Sequence, residues 1–89
     1  MDITKKYYVY IILTQTNKLY CGYTDDVDKR YNLHCLGKGA KFTRANKPLK
    51  LVYTKEFKTK SEAMKEECRI KKLPRNKKLE LINKKTALL

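Results

Sequence analysis

Apolar residues recur at two different periods along this chain, and the changes of period divide it into elements. From Tyr7 to Leu13 nearly every residue is aromatic, β-branched or aliphatic, which suits a strand on a pleated surface. A second run, Leu19–Thr24, follows the polar stretch TQTNK, and the two read as a β-hairpin. Five residues separate the paired strand ends, so positions of equal parity share a face. Tyr8, Tyr10, Tyr20 and Gly22 then line one face. Val9, Ile11, Leu13, Leu19 and Cys21 line the other, more uniformly apolar one. Two readings of this hairpin are open. It is a tyrosine-built core, or it is the floor of a site, because buried phenols need partners and a strand glycine marks close approach.

The period then becomes helical. In DDVDKRYNLHCLGKGA, Asp25 or Asp26 is the expected N-cap and Gly37 the expected stop. On a wheel Val27, Tyr31, His34 and Cys35 form one stripe, and Arg30 falls within it. GKGAKFTRANKP reads as a loop, and Lys50–Phe57 as a third strand with Leu51, Tyr53 and Lys55 on one side and Val52 and Thr54 on the other. TKSEAMKEECRIKKL is the clearest helix, capped at Thr59 or Ser61, with Thr59 and Glu62 at capping-box spacing. Its wheel puts Glu62 and Glu66 outside, and Glu67 inside with Ala63, Met64, Ile70 and Lys71. Pro74 ends that helix and opens a short basic one anchored by Leu79, Leu81 and Ile82. Residues 1–6 are a polar lead-in, and 83–89 a tail beyond a core of about residues 7–82.

Two charges sit on faces that should pack against a sheet. An inward arginine is costly unless it is paired, snorkels to the rim, or has work to do. A lone inward carboxylate pairs with a cation or binds a metal. A structural Arg30–Glu67 pair and a functional site both satisfy these demands.

Composition narrows the choice. Eighty-nine residues at 42% hydrophobic content make one folded domain with a small core. No apolar run has membrane-spanning length and no signal peptide is evident, so a soluble, cytoplasmic monomer is the expectation. Cys21, Cys35 and Cys68 lack zinc-site spacing and have only His34 beside them, so reduced, mostly buried thiols are expected. The 22 Lys and Arg against 9 Asp and Glu give a net charge of +13, which favours a polyanionic partner. Nucleic acid is the natural candidate; the scatter of the lysines argues against a basic amphipathic membrane helix. Lys38, Lys41, Arg44 and Lys47, in the loop with two glycines, suit phosphate contact, although no nucleotide-binding P-loop is present.

The residues also resemble a known family. Val9–Tyr10 followed by Tyr20–Cys21–Gly22, then Arg30 with His34, then E-A-x-x-x-E-x-x-I-K from Glu62 to Lys71, resemble the GIY-YIG endonucleases. G-K-G-A-K-F-T-R and I-K-K-L-P-R-N-K-K-L-E-L-I are similar to the small stand-alone bacterial members. Tyr8 stands at the first signature glycine and Cys21 at the second-part isoleucine. The asparagine that larger relatives place after the metal glutamate has no match in register; Asn76 is nearby. The resemblance implies an α+β domain, ordered β-β-α-β-α-α, with a three-stranded antiparallel sheet flanked by helices. It implies a DNA endonuclease whose signature tyrosines are Tyr10 and Tyr20. Arg30 would contact the scissile phosphate, His34 would assist, and Glu67 would hold one divalent metal, Mg²⁺ or Mn²⁺. Lys38, Lys41, Arg44 and Lys71 would bind nucleic acid, and Gly22 would be structural. A basic binding module without turnover is the alternative on the same fold.

Overall fold

The computed structural model describes residues 5–87, with side chains to Lys84. Its elements are β1 (Tyr7–Thr14), β2 (Leu19–Thr24), α1 (Val27–Cys35), α2 (Lys41–Ala45), β3 (Pro48–Phe57), α3 (Lys60–Lys71) and α4 (Arg75–Ala87). The expected order is present with one addition. The segment expected as a loop contains the five-residue helix α2, which has no side-chain cap and is held by burial of Thr43. Nothing so short is stable without tertiary packing, which is why its local sequence gives no helical signal. At the C-terminal end α4 continues through residues expected as tail, to Ala87. Residues 1–4 of the expected lead-in, and 88–89, lie outside the described residues.

The sheet is antiparallel in the order β2-β1-β3, so β1 is central and buries both its faces. The hairpin closes through Gln15–Asn17. The Thr14 amide donates to the Lys18 carbonyl (2.8 Å), the Lys18 amide donates to Thr14 Oγ1 (3.0 Å), and Asn17 takes the left-handed conformation at φ 62°. Asparagine tolerates that conformation better than other side chains, which fixes the loop length and hence the register. Tyr10 pairs with Gly22 and Ile12 with Tyr20, so the even positions do share a face, as the spacing predicted. In β3 the parity expectation fails. Tyr53 opposes Ile11 and Leu51 opposes Ile12, with Val52 bulged between them. The extra residue turns Leu51 to the even face, away from Tyr53 and Lys55.

The odd face carries the core. Val9, Ile11, Cys21 and Tyr53 pack under Ala63 and Ile70 of α3, with Leu81 and Ile82 of α4 at the margin. α3 turns in the stripe Ala63, Glu66, Glu67 and Ile70, at i, i+3, i+4 and i+7. That is one position off the predicted arc: Met64 and Lys71 are exposed, and Glu66, expected outside, is half-buried. Glu66 is sustained there by a two-pronged bond from Arg69 Nε (2.8 Å) and Nη2 (2.6 Å), which holds its carboxyl below the usual range. Thr59 is the N-cap of α3, accepting from the Glu62 amide and donating to the Glu62 carboxylate, and such a cap is worth about 1 kcal/mol. Leu79, expected as an anchor of α4, is more than a third exposed. Of the cysteines Cys21 alone is buried, its thiol pushed up to about 12 by burial; Cys35 and Cys68 are exposed, against expectation.

α1 and α2 cover the even face. Asp26 is the N-cap of α1, accepting from the Lys29 amide at 3.1 Å. Gly37 at φ 76° ends it; its amide bonds the His34 carbonyl, and that of Lys38 bonds the Leu33 carbonyl, a Schellman motif. This clean ending orients Val27, Arg30, Tyr31 and His34 toward the sheet and leaves Cys35 outside. Among the described residues no helix is long and apolar enough to cross a membrane.

Candidate active site

Arg30 and Glu67 enter one cavity from helices on opposite sides of the sheet. The cavity, about 470 Å³, lies at the β2 side, and no β3 residue lines it. Tyr10, Tyr20 and Gly22 form its floor, with Arg30 from α1 and Glu67 from α3 on its walls. Lys5, Tyr7, Tyr23, Thr24, Asp25 and Lys60 complete the lining, and none was anticipated from sequence as part of the site. Glycine at position 22 is a steric requirement. A Cβ there would lie 2.5 Å from the Tyr10 hydroxyl oxygen and 2.7 Å from Cζ, so the Tyr10 ring occupies the space a side chain would fill.

Arg30 and Glu67 do not form the ion pair considered above. Glu67 pairs with Lys71 at 3.4 Å, and among the described residues Arg30 has no ion pair. The arginine therefore lines the cavity with no ion pair of its own among the described residues. Glu67 offers one partly buried carboxylate, the kind of donor with which Mg²⁺ is held when waters and phosphate oxygens complete its shell. A cage built wholly from protein is not available, because among the described residues no three His, Cys, Asp or Glu gather.

His34 lies beneath the floor, 1% exposed. Its Nε2 is 2.8 Å from the Tyr10 hydroxyl and its Nδ1 is 2.6 Å from Thr43 Oγ1. The Thr43 hydroxyl donates to the Ala40 carbonyl at 3.3 Å. We assign the Thr43 proton to that carbonyl, which makes Nδ1 the donor to Thr43, Nε2 the acceptor and Tyr10 the donor to it. Burial, with Arg30 adding to it, depresses the His34 pKa and keeps the ring neutral. Burial also raises the Tyr10 pKa, reinforced by Tyr20 and Glu67 and only partly opposed by Arg30. The positive charge of Arg30 would acidify Tyr10, and desolvation outweighs it. The phenol thus rests protonated against a neutral imidazole.

Thr43 and Gly39 were not singled out from sequence. Gly39 packs so close to the His34 ring that any Cβ there would overlap it. Neither carries a local signal, since both belong to a segment that reads as a loop. Phe42 was also missed: its ring stacks on Tyr20 with centroids 5.9 Å apart at 22°, and Tyr20 meets His34 edge-on at 5.0 Å. Lys38, Lys41, Arg44 and Lys71 are exposed and do not line the cavity. Tyr8 shares the even face but lines a separate groove with Val27 and Leu51.

A sheet-floored cavity with two tyrosines, an arginine and a glutamate is that of a nuclease-type domain. The family model of the GIY-YIG catalytic domain matches residues 6–80, and the chain belongs to that nuclease family. Its relatives are small bacterial proteins. It is 50% identical over 78 residues to the UPF0213 protein OB0043 of Oceanobacillus iheyensis, covering 88% of this chain and 91% of that one. The solution NMR structure of the UPF0213 protein BH0048 from Bacillus halodurans is 46% identical, with a TM-score of 0.58 over 88% of this chain and 83% of that one. That of EF2693 from E. faecalis is 34% identical, with a TM-score of 0.64 over 98% and 93%.

Proposed function

We propose that the protein is a metal-dependent endonuclease that hydrolyses DNA phosphodiester bonds, acting in DNA repair or recombination. The observation that carries this reading is the meeting of Arg30 and Glu67, from two helices on opposite sheet faces, in one cavity with Tyr10 and Tyr20. Arg30 binds the scissile phosphate and stabilises the charge that grows on it in the transition state, in a forked geometry that lysine cannot copy. Tyr10 is the general base. As the attacking water gives its proton to the Tyr10 oxygen, the phenolic proton passes to His34 Nε2, and the imidazolium is held by Thr43 through Nδ1. Tyr20, on the same floor, orients the water. Glu67 would hold Mg²⁺ or Mn²⁺, which when bound supplies Lewis-acid stabilisation of the phosphate and leaving-group oxygens. Lys38, Lys41, Arg44 and Lys71 contact flanking phosphates, in keeping with the net charge of +13.

The test is incubation with branched, nicked and single-stranded DNA and Mg²⁺ or Mn²⁺, beside Glu67→Ala and Arg30→Ala. Cleavage by the wild type, lost in both variants and on chelation, is expected. Cleavage that persists in both comes from a contaminant and removes the catalytic reading. Tight, salt-sensitive binding with no cleavage by the wild type leaves a nucleic-acid-binding module instead.

A further inference from the structure

We infer that Phe42 is a stacking platform for an unpaired base beside the scissile phosphate, so that the substrate is a flap, gap or branch and not an intact duplex. The inference rests on the nuclease reading for its chemistry and on separate residues for its geometry. Phe42 sits on α2 with 37% of its surface exposed. Its ring lies nearly parallel to that of Tyr20, 5.9 Å away, and Tyr20 reaches into the cavity beside Arg30 and Glu67. A row of rings therefore runs outward from His34 through Tyr20 to Phe42, with the last still accessible.

Charge surrounds the end of that row. Lys41 adjoins Phe42 in the chain, Arg44 follows two residues on, and Lys38 precedes α2 by three positions. All three are exposed and, among the described residues, none is in an ion pair. An accessible ring flanked by free cations is how single strands are gripped: the base stacks, and the phosphates on either side meet lysine or arginine. A base within a duplex has both faces covered by its neighbours and cannot use the platform. A nucleotide freed at a flap or gap can, and Tyr20, against which Phe42 stacks, leads from it to the cavity that holds Arg30.

The experiment compares binding to two fluorescent DNAs of equal length, one fully paired and one with a short unpaired flap, in EDTA so that nothing is cut. The wild type is expected to prefer the flap by about tenfold, the scale of one stacked base. Phe42→Leu is expected to lose that preference while keeping its affinity for the duplex, and Phe42→Tyr to retain it. Should Phe42→Leu not fold, photo-crosslinking of wild type to 5-iododeoxyuridine in the flap decides, with Phe42 as the expected site. A preference unchanged in Phe42→Leu, or a crosslink mapping to another element, overturns the proposal. Cleavage with Mg²⁺, measured in parallel, separates the two ideas. Cleavage with no Phe42-dependent preference removes the platform alone; a Phe42-dependent preference without cleavage removes the nuclease reading and leaves the platform.

Discussion

Replacing Thr43 by valine removes one hydroxyl and almost no volume, yet it cuts the chain of bonds beneath the site. Thr43 is 0% exposed, and its oxygen lies 2.6 Å from His34 Nδ1, whose proton it accepts in the tautomer assigned above. In Thr43→Val the imidazole either keeps that proton with no acceptor, in a place water does not reach, or moves it to Nε2. The first outcome leaves a buried donor unpaired, at a cost of about 1–3 kcal/mol. The second places a donor against the Tyr10 hydroxyl and costs Tyr10 its own acceptor. In a domain of this size each kcal/mol is worth about 4–8 °C, so Tm should fall by roughly 10 °C. Thermal unfolding followed by circular dichroism measures this, with Thr43→Ser as the control that restores the hydroxyl. Nitrogen NMR of the His34 ring reads the tautomer directly, and cleavage should fall with the Nε2 acceptor even at temperatures where the variant is folded. A Thr43→Val protein with wild-type Tm, wild-type tautomer and wild-type cleavage would refute the relay.

Three further outcomes follow from the same geometry. Gly22→Ala must push the Tyr10 ring from its place, because the new Cβ would sit 2.5 Å from the hydroxyl oxygen; a loss of roughly 1–3 kcal/mol in urea unfolding is expected, together with reduced cleavage, and a neutral alanine would mean the floor is looser than described. Arg30→Lys keeps the charge and loses the fork, so cleavage should drop on the order of 10²-fold with stability changed by less than about 0.5 kcal/mol; a lysine enzyme as fast as wild type would remove Arg30 from the transition state. The His34 pKa is held below its ordinary 6.5 by burial and by Arg30. The unfolded chain therefore binds the proton more readily than the folded one, and stability is complete above pH 6.5 and declines as pH falls toward the lower folded value. Cleavage should share that acid limb, and a His34→Gln variant whose unfolding has the same pH dependence as wild type would count against this account.

How much of this was legible beforehand differs from element to element. The hairpin register was legible, because a loop of fixed length leaves only one parity and Asn17 supports its closing turn. So were the caps Asp26 and Thr59, which are local by nature. The inward turn of Arg30 and Glu67 could be read from helical spacing, but only to within one position: the same spacing misplaced Met64, Glu66 and Lys71. A wheel gives a helix its stripe, and the neighbouring elements decide its exact rotation.

The sequence by itself determined that the chain folds into two short strands, a capped helix, a third strand and two helices, and that it carries a net charge of +13. Period and caps are settled within a few residues, and charge is a sum over residues that no fold can change. Only the tertiary structure decided that Glu67 pairs with Lys71 and not Arg30, that burial outweighs positive charge at Tyr10, and that His34 rests on Thr43. It also turned Leu51 over at a bulge and made a helix of a segment with no helical signal of its own. These outcomes depend on which groups meet across the fold and on how much water is left between them, and neither is written in the order of residues along the chain.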